Sequence, residues 1–297
     1  MSSSPYLKLR DWIPMDKLEW QYLSENPQAI PLLEQNLDKV HWYEMSLNSN
    51  ADVIPMMEQK LDWIDWYELS QTSTAIPILE KNMERISWDK LSANPGAIHI
   101  LEQYPDKIDW EWLSFNPNAI HILEKNLDKV SWGDLSANPG AVHILEQYPD
   151  KIDWEWLSRN PEAIHLLEKN LDKVNWTNLS QNPNAIRILE QNTDKVDWTA
   201  LSINPNAIHI LEQHLDKVDW DEMSFNPNAL HILERNMDKV VWGELSGNPN
   251  IFEYDYNAIK TNMYKPDGIG KELMEKMFHP RNFPKWKSWG FAVEGLD

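Results

Sequence analysis

The sequence predicts an all-α solenoid of about ten stacked 22-residue helix pairs with atypical terminal caps, and three observations carry that expectation. Asn-Pro pairs begin at residues 26, 94, 116, 138, 160, 182, 204, 226 and 248, and from Asn94 onward each step is 22 residues. Trp recurs in phase at 20, 42, 66, 88, 110, 132, 154, 176, 198, 220 and 242, with 22 residues in nine of the ten steps. The exception, Trp42 to Trp66, carries two extra residues near Ala51–Pro55. Within each period the apolar residues follow a helical spacing. A chain of 297 residues would otherwise suggest about two domains of ~150 residues, and the repeat overrides that.

The elements follow in order. Residues 1–25 hold a half-repeat, Asp16–Ser24, and are expected to cap the array. Residues 26–250 form the tandem repeat. Where a copy opens on Asn-Pro, Asn is a good N-cap and Pro a good first helical residue, as at Asn116 and Pro117. Ala119, Ile120, Ile122 and Leu123 then share one arc at ~100° per residue, with His121 opposite. A second, shorter helix starts after a capping residue: Asp65, Ser87, Asp109, Ser131, Asp153, Asn175, Asp197 or Asp219. Trp110 and Leu113 fall on one face of it, which predicts a Trp ladder in the core. Helices of ~10 and ~6 residues cannot bury their faces alone, so the copies must stack, advancing ~10 Å each into an elongated rod or arc. A leucine-rich repeat is the rival reading, but Val-x-Trp-x-x-Leu-Ser lacks the Leu-x-Leu alternation of its strand.

After Asn250 the pattern stops. Residues 251–297 read as a C-terminal helical cap or tail, with a helix over Gly270–Phe278 and an aromatic-basic string from Phe278 to Phe291. The short Gly268-Ile-Gly270-Lys271 string reads as a turn before that helix rather than a phosphate loop. Residues 94–115 and 138–159 differ at two of 22 positions, Ile98 against Val142 and Phe115 against Arg159. Duplication of a two-repeat unit explains this, and duplication copies neutral residues as faithfully as useful ones.

Composition narrows the function. Lys+Arg is 27 against Asp+Glu 47, and the net charge of −20 falls wholly within the first 250 residues, because 251–297 hold seven of each sign. Such a chain is unsuited to phosphate backbones or anionic membranes, where Lys and Arg do the binding. With no cysteine, disulfides, thiolate metal sites and thiol catalysis are excluded. Met1–Arg10 lacks the apolar core of a signal peptide, and no run of ~20 apolar residues exists. A protein that is neither secreted nor membrane-spanning is expected.

The array Asn-Pro-Asn-Ala-Ile-His-Ile-Leu-Glu-x-Asn-Leu-Asp-Lys-Val-x-Trp, followed by Asn248–Tyr256 and Lys271–Arg281, resembles the tandem-repeat proteins of giant DNA viruses of algae and amoebae. The resemblance covers over nine tenths of the chain. It implies a helical repeat array of viral origin, located in host cytoplasm or virion, and it carries no activity.

Candidate sites fall in two groups. His99, His121, His143, His165, His209 and His231 share one outward helix position, with Arg187 interrupting. They read first as solvated residues copied by duplication, and otherwise as a pH-responsive or partner-facing stripe. Helices ~8–10 Å apart disfavour shared metal ligation, so no metal or cofactor is expected. Glu recurs at 34, 58, 80, 102, 124, 146, 168, 190, 212 and 234. Equivalent acids suggest hydrogen bonding between copies rather than the one asymmetric pocket that catalysis needs. Trp112 and Trp156 stand where other copies carry polar residues, and Phe115 and Phe225 stand where others carry Arg159 or Gln181. Aromatics on accessible faces are frequent binding hot spots. The expectation is a monomeric, non-enzymatic scaffold for a protein partner that presents a basic segment. The alternatives are a virion or assembly component, and an acidic nucleic-acid mimic that binds basic host proteins.

Overall fold

A computed structural model describes residues 6–263. The Gly270–Phe278 helix, the Gly268–Lys271 turn and the aromatic-basic string lie outside the described residues. Among those described, eleven short helices each open on a repeat Trp, from Trp20–Glu25 to Trp242–Gly247. Between them run helices that open on Ile, Val or Leu, from Ile30–Glu34 to Leu230–Arg235. One Trp helix and the helix after it make a rung, and the rungs pack in series as an all-α solenoid.

The helix expected to start at the Asn-Pro step is shorter than its sequence suggests. Asn116 caps the C-terminus of Trp110–Phe115, and the next α-helix begins only at Ile120. The reason lies in the Asn side chain. Its Oδ1 accepts the N–H two residues on (Asn118, 3.0 Å), which closes a turn around the Pro before the helix can start. Trp-helix caps fare better: Asp65, Asp109, Asp153, Asn175, Asp197 and Asp219 accept backbone N–H groups of the first turn. Ser87 and Ser131 make no such bond.

Three buried ladders join the rungs. The residue three after each repeat Trp, a Leu such as Leu113, Leu135 and Leu157 or in two rungs Met45 and Met223, is wholly enclosed. The next residue is a buried Ser. Ser136 Oγ donates to Trp132 O (2.7 Å) and accepts Asp153 N–H of the following rung (3.0 Å). Asn forms the third ladder. Asn138 Nδ2 donates to Ser114 O (2.9 Å) and Asn116 O (3.0 Å) of the preceding rung. Asn at this place satisfies two carbonyls at the buried end of a neighbouring helix, where an unpaired group would be costly, and Asn94 makes one such bond, to Ser70 O (2.9 Å). Thr72 replaces Asn in the third rung, and its hydroxyl keeps one bond, to Ser46 O (3.2 Å).

These ladders overturn the open rod. Glu19 N–H donates to Ser246 Oγ (2.9 Å), and Asn26 Nδ2 donates to Ser246 O (3.0 Å) and Asn248 O (2.9 Å). Helix Trp20–Glu25 packs directly on Trp242–Gly247. Arg10 adds bonds to Ile251 O and Asn250 O. Residues 9–251 are therefore a closed ring. Its first Trp helix, expected within a cap, is a full member, and the array has no free face at either end to protect.

The Trp ladder also departs from expectation. Its rings are half-buried, whereas Leu, Ala and Ile fill the core. The exposed ring faces are covered by the segment that follows the second helix of the same rung. Lys129 lies 4.6 Å from the Trp110 ring centre and Lys173 4.6 Å from that of Trp154. Tyr104 and Tyr148 pack against Trp88 and Trp132 instead (5.3 Å each). Trp12 contacts Trp242 at 6.4 Å where the ring closes.

The described part of a second unit comprises residues 6–8 and 252–263. The two-stranded pairing of Leu7–Leu9 with Phe252–Tyr254 is supported by Lys8–Glu253 at 3.4 Å. Helix Tyr256–Met263 follows, its start capped by Asp255 Oδ1 on the N–H groups of Asn257 and Ala258.

Candidate functional site

Rungs of a ring subtend similar angles, so elements nearer the centre are packed more tightly. Consecutive Trp helices pack on one another, as Trp88–Ala93 does on Trp110–Phe115, while consecutive outer helices barely meet. The Trp helices therefore line the inner circumference. At spacings of ~8–10 Å, eleven axes lie on a circle of radius roughly 14–18 Å. Within each Trp helix the Trp, Leu and Ser share the face turned to the outer layer. The positions one, two and five residues after Trp fall on the opposite face, toward the centre. These are the positions at which the copies differ.

A concavity of about 680 Å³ runs across this inner face. It is bounded by Trp112, Phe115, Trp156 and Arg159, with Pro95, Pro117, Pro139 and Pro161 contributed by successive rungs. Three of the four aromatic candidates thus meet at one surface. Phe115 is 46% and Trp156 39% exposed. No family model matches the chain, and no curated protein or solved structure does so either. The site is therefore read from its own chemistry. Lys90 lies 4.3 Å from the Trp112 ring centre and 4.8 Å from that of Tyr67, so an ammonium is held between two aromatic faces. Phe225 lies away from this group. It packs over Gly247, where an added Cβ would come within 2.9 Å of the ring.

The inner face beside the ring closure is acidic. Glu25 is half-buried, and its carboxyl is pushed up from 4.5 to about 7 by burial, by a hydrogen bond with Glu44 and by the charges of Glu44 and Glu244. The Glu244 charge, with burial and Glu19, raises the Tyr22 phenol. Burial raises Glu222, and Asp219 and Glu244 add to it. Acidic and aromatic arcs thus occupy different sectors of one circumference.

The histidines lie on the outer face, away from both arcs. His99, His121, His143, His165, His209 and His231 each place Nε2 2.7–3.1 Å from the Glu nineteen residues earlier, on the preceding rung. Both partners of each pair are about half exposed. In the third rung, where Pro77 holds the His position, Lys81 four residues on bonds Glu58 of the preceding rung (2.7 Å). The His–Glu geometry is a pairwise clamp between rungs. Among the described residues, no group of three or more His, Asp or Glu is placed to hold a metal ion, and no helix is long and apolar enough to cross a membrane.

Sequence reasoning missed three features. The Ser ladder that joins successive rungs is the first. Trp63, 69% exposed, occupies the position that other copies give to Lys or, at residue 85, Arg, and that irregularity was a legible signal. Lys90 was equally irregular, as the one cation at a position otherwise acidic, aromatic, amide or Ala.

Proposed function

We propose that the ring is a non-enzymatic scaffold that holds a protein partner on its inner face. The single observation that carries this reading is the concavity bounded by Trp112, Phe115 and Trp156, because it gathers aromatic residues at positions the stacking does not constrain. Uniform positions serve the ladders, so discrimination between partners has to reside where rungs differ. The acidic inner arc and the charge of −20 favour a partner segment rich in Lys or Arg and speed its encounter. The test is site-specific photo-crosslinking in cells with a photoreactive residue at 112 or 156, and at 121 on the outer face as a control. Shared crosslinked partners at 112 and 156 that are absent at 121 would support the reading. Partners obtained only at 121 would overturn it.

The repeat and C-terminal strings resemble those of giant-virus proteins, and we infer a viral setting, in host cytoplasm or virion. Mass spectrometry of purified virions separates a virion component from a factor acting in the cell. The charge also supports a second reading, an acidic nucleic-acid mimic. Its signature is capture of basic nucleic-acid-binding proteins that is lost with added salt and competed by DNA.

A further inference from the structure

Two equivalent places on the inner face carry opposite chemistry. In the first, Tyr67, Lys90 and Trp112 come from three successive rungs, and the Lys90 ammonium sits 4.3 Å from the Trp112 ring centre. Two rungs further on, the same three repeat positions hold Glu111, Asp134 and Trp156. Trp112 and Trp156 belong to the nearly identical stretches 94–115 and 138–159, so the indole is presented on the same scaffold in both. What changes is the neighbourhood: an aromatic and an ammonium become two carboxylates. Among the described residues, no Lys or Arg lies over the Trp156 ring.

The details suit a cation. The edge of Trp156 lies over Gly133, whose missing side chain leaves ordinary contact distance to the indole (3.6 Å from an ideal Cβ), so the ring is not propped away from its neighbour. Asp134 accepts from Ser131 Oγ (2.6 Å), which fixes the carboxylate on its own rung. Arg159, the nearby cation in the same rung, points its guanidinium to Gln181 of the next (2.9 Å). An ammonium or guanidinium over an indole gains from the ring quadrupole, and flanking carboxylates add charge attraction.

We propose that Trp156, Asp134 and Glu111 form a subsite for a Lys or Arg side chain of the partner, and that Lys90 on Trp112 is the built-in counterpart of that bound cation. The proposal rests on the inner-face reading above and names the partner's chemistry: a linear segment that places a basic side chain at Trp156 beside an apolar stretch along Phe115.

Singly charged acetyl-arginine amide is the probe, and neutral acetyl-citrulline amide is its isosteric control. Indole N–H resonances of Trp112 and Trp156 are assigned by Trp→Phe substitution and followed by NMR during titration. The arginine probe should shift Trp156 and leave Trp112 nearly still, and the citrulline probe should shift neither. Asp134→Lys should install an internal ammonium and reduce the Trp156 response at least tenfold, and the milder Asp134→Asn should weaken it severalfold. Lys90→Asp should make Trp112 responsive. Equal responses of Trp112 and Trp156 in the wild-type protein, equal responses to both probes, or an undiminished Trp156 response in both Asp134 variants would each overturn the subsite. A responsive Trp156 combined with crosslinking only at residue 121 leaves the subsite standing and removes the scaffold reading. Crosslinking at 112 and 156 with a silent Trp156 does the reverse.

Discussion

Asn26 donates its side-chain amide to the carbonyl of Ser246, 220 residues away, at 3.0 Å. Asn48 makes the same bond to Ser24 at 2.9 Å, one rung away along the chain. The two contacts are equivalent, although only the second is local in sequence. A hydrogen-bond ladder with this property has no first or last member, and that equivalence yields the first prediction.

Asn26→Ala should destabilise the fold as much as Asn138→Ala. Each variant abandons two carbonyl partners and one backbone N–H. At ~1 kcal/mol per lost bond, each should cost about 3 kcal/mol. Chemical denaturation gives both values. A loss at Asn26 of under about 1 kcal/mol, beside a full loss at Asn138, would mean that the array is open in solution.

Leu135→Ala should cost about 2–5 kcal/mol, since the side chain is wholly enclosed and leaves a cavity. Trp132→Ala should cost no more than that despite its greater size, because its ring is half-buried and its cover, Tyr148, lies on the surface. Urea midpoints of the two variants check the order. Trp132→Ala as clearly the worse variant would return the Trp ladder to the core.

His121→Ala should change stability by less than ~0.5 kcal/mol, because its pairing with Glu102 is on the outer surface and open to water. Thermal unfolding at neutral pH measures this. A loss of several kcal/mol would show that the outer clamps are a main support of the ring.

Glu25 supplies a pH dependence. Its pKa of about 7 in the fold, against 4.5 ordinarily, means that the native state holds more protons than the unfolded chain between those values. Stability from this group is thus present at low pH and falls as pH rises from 4.5 to about 7. Glu25→Gln should flatten that segment of the curve and stabilise the protein at pH 8 (a value chosen above the shifted pKa) by on the order of 1 kcal/mol, discounted because solvent screens a half-buried group. Parallel wild-type and Glu25→Gln stability curves across that window would rule out the shifted acid.

The sequence by itself determined the repeat, its period, the all-α class and the chemistry of its variable positions. The spacing of Trp, Leu, Asn and Pro is covalent information, and helical periodicity converts it directly into faces. It also singled out Trp112, Phe115 and Trp156, because a tandem array carries its own internal comparison. Phe225 met the same criterion, but in the fold it packs on Gly247, a pairing between rungs that no single copy displays. The tertiary structure alone decided that the array closes. Curvature is set by how closely the inner Trp helices approach relative to the outer ones, a property of interfaces rather than of any residue. Once that angle accumulates over eleven rungs, Ser246 arrives beside Glu19 and Asn26. The ring then fixes which face is inner, and so brings the variable aromatic positions onto one surface while leaving the His–Glu pairs on the other.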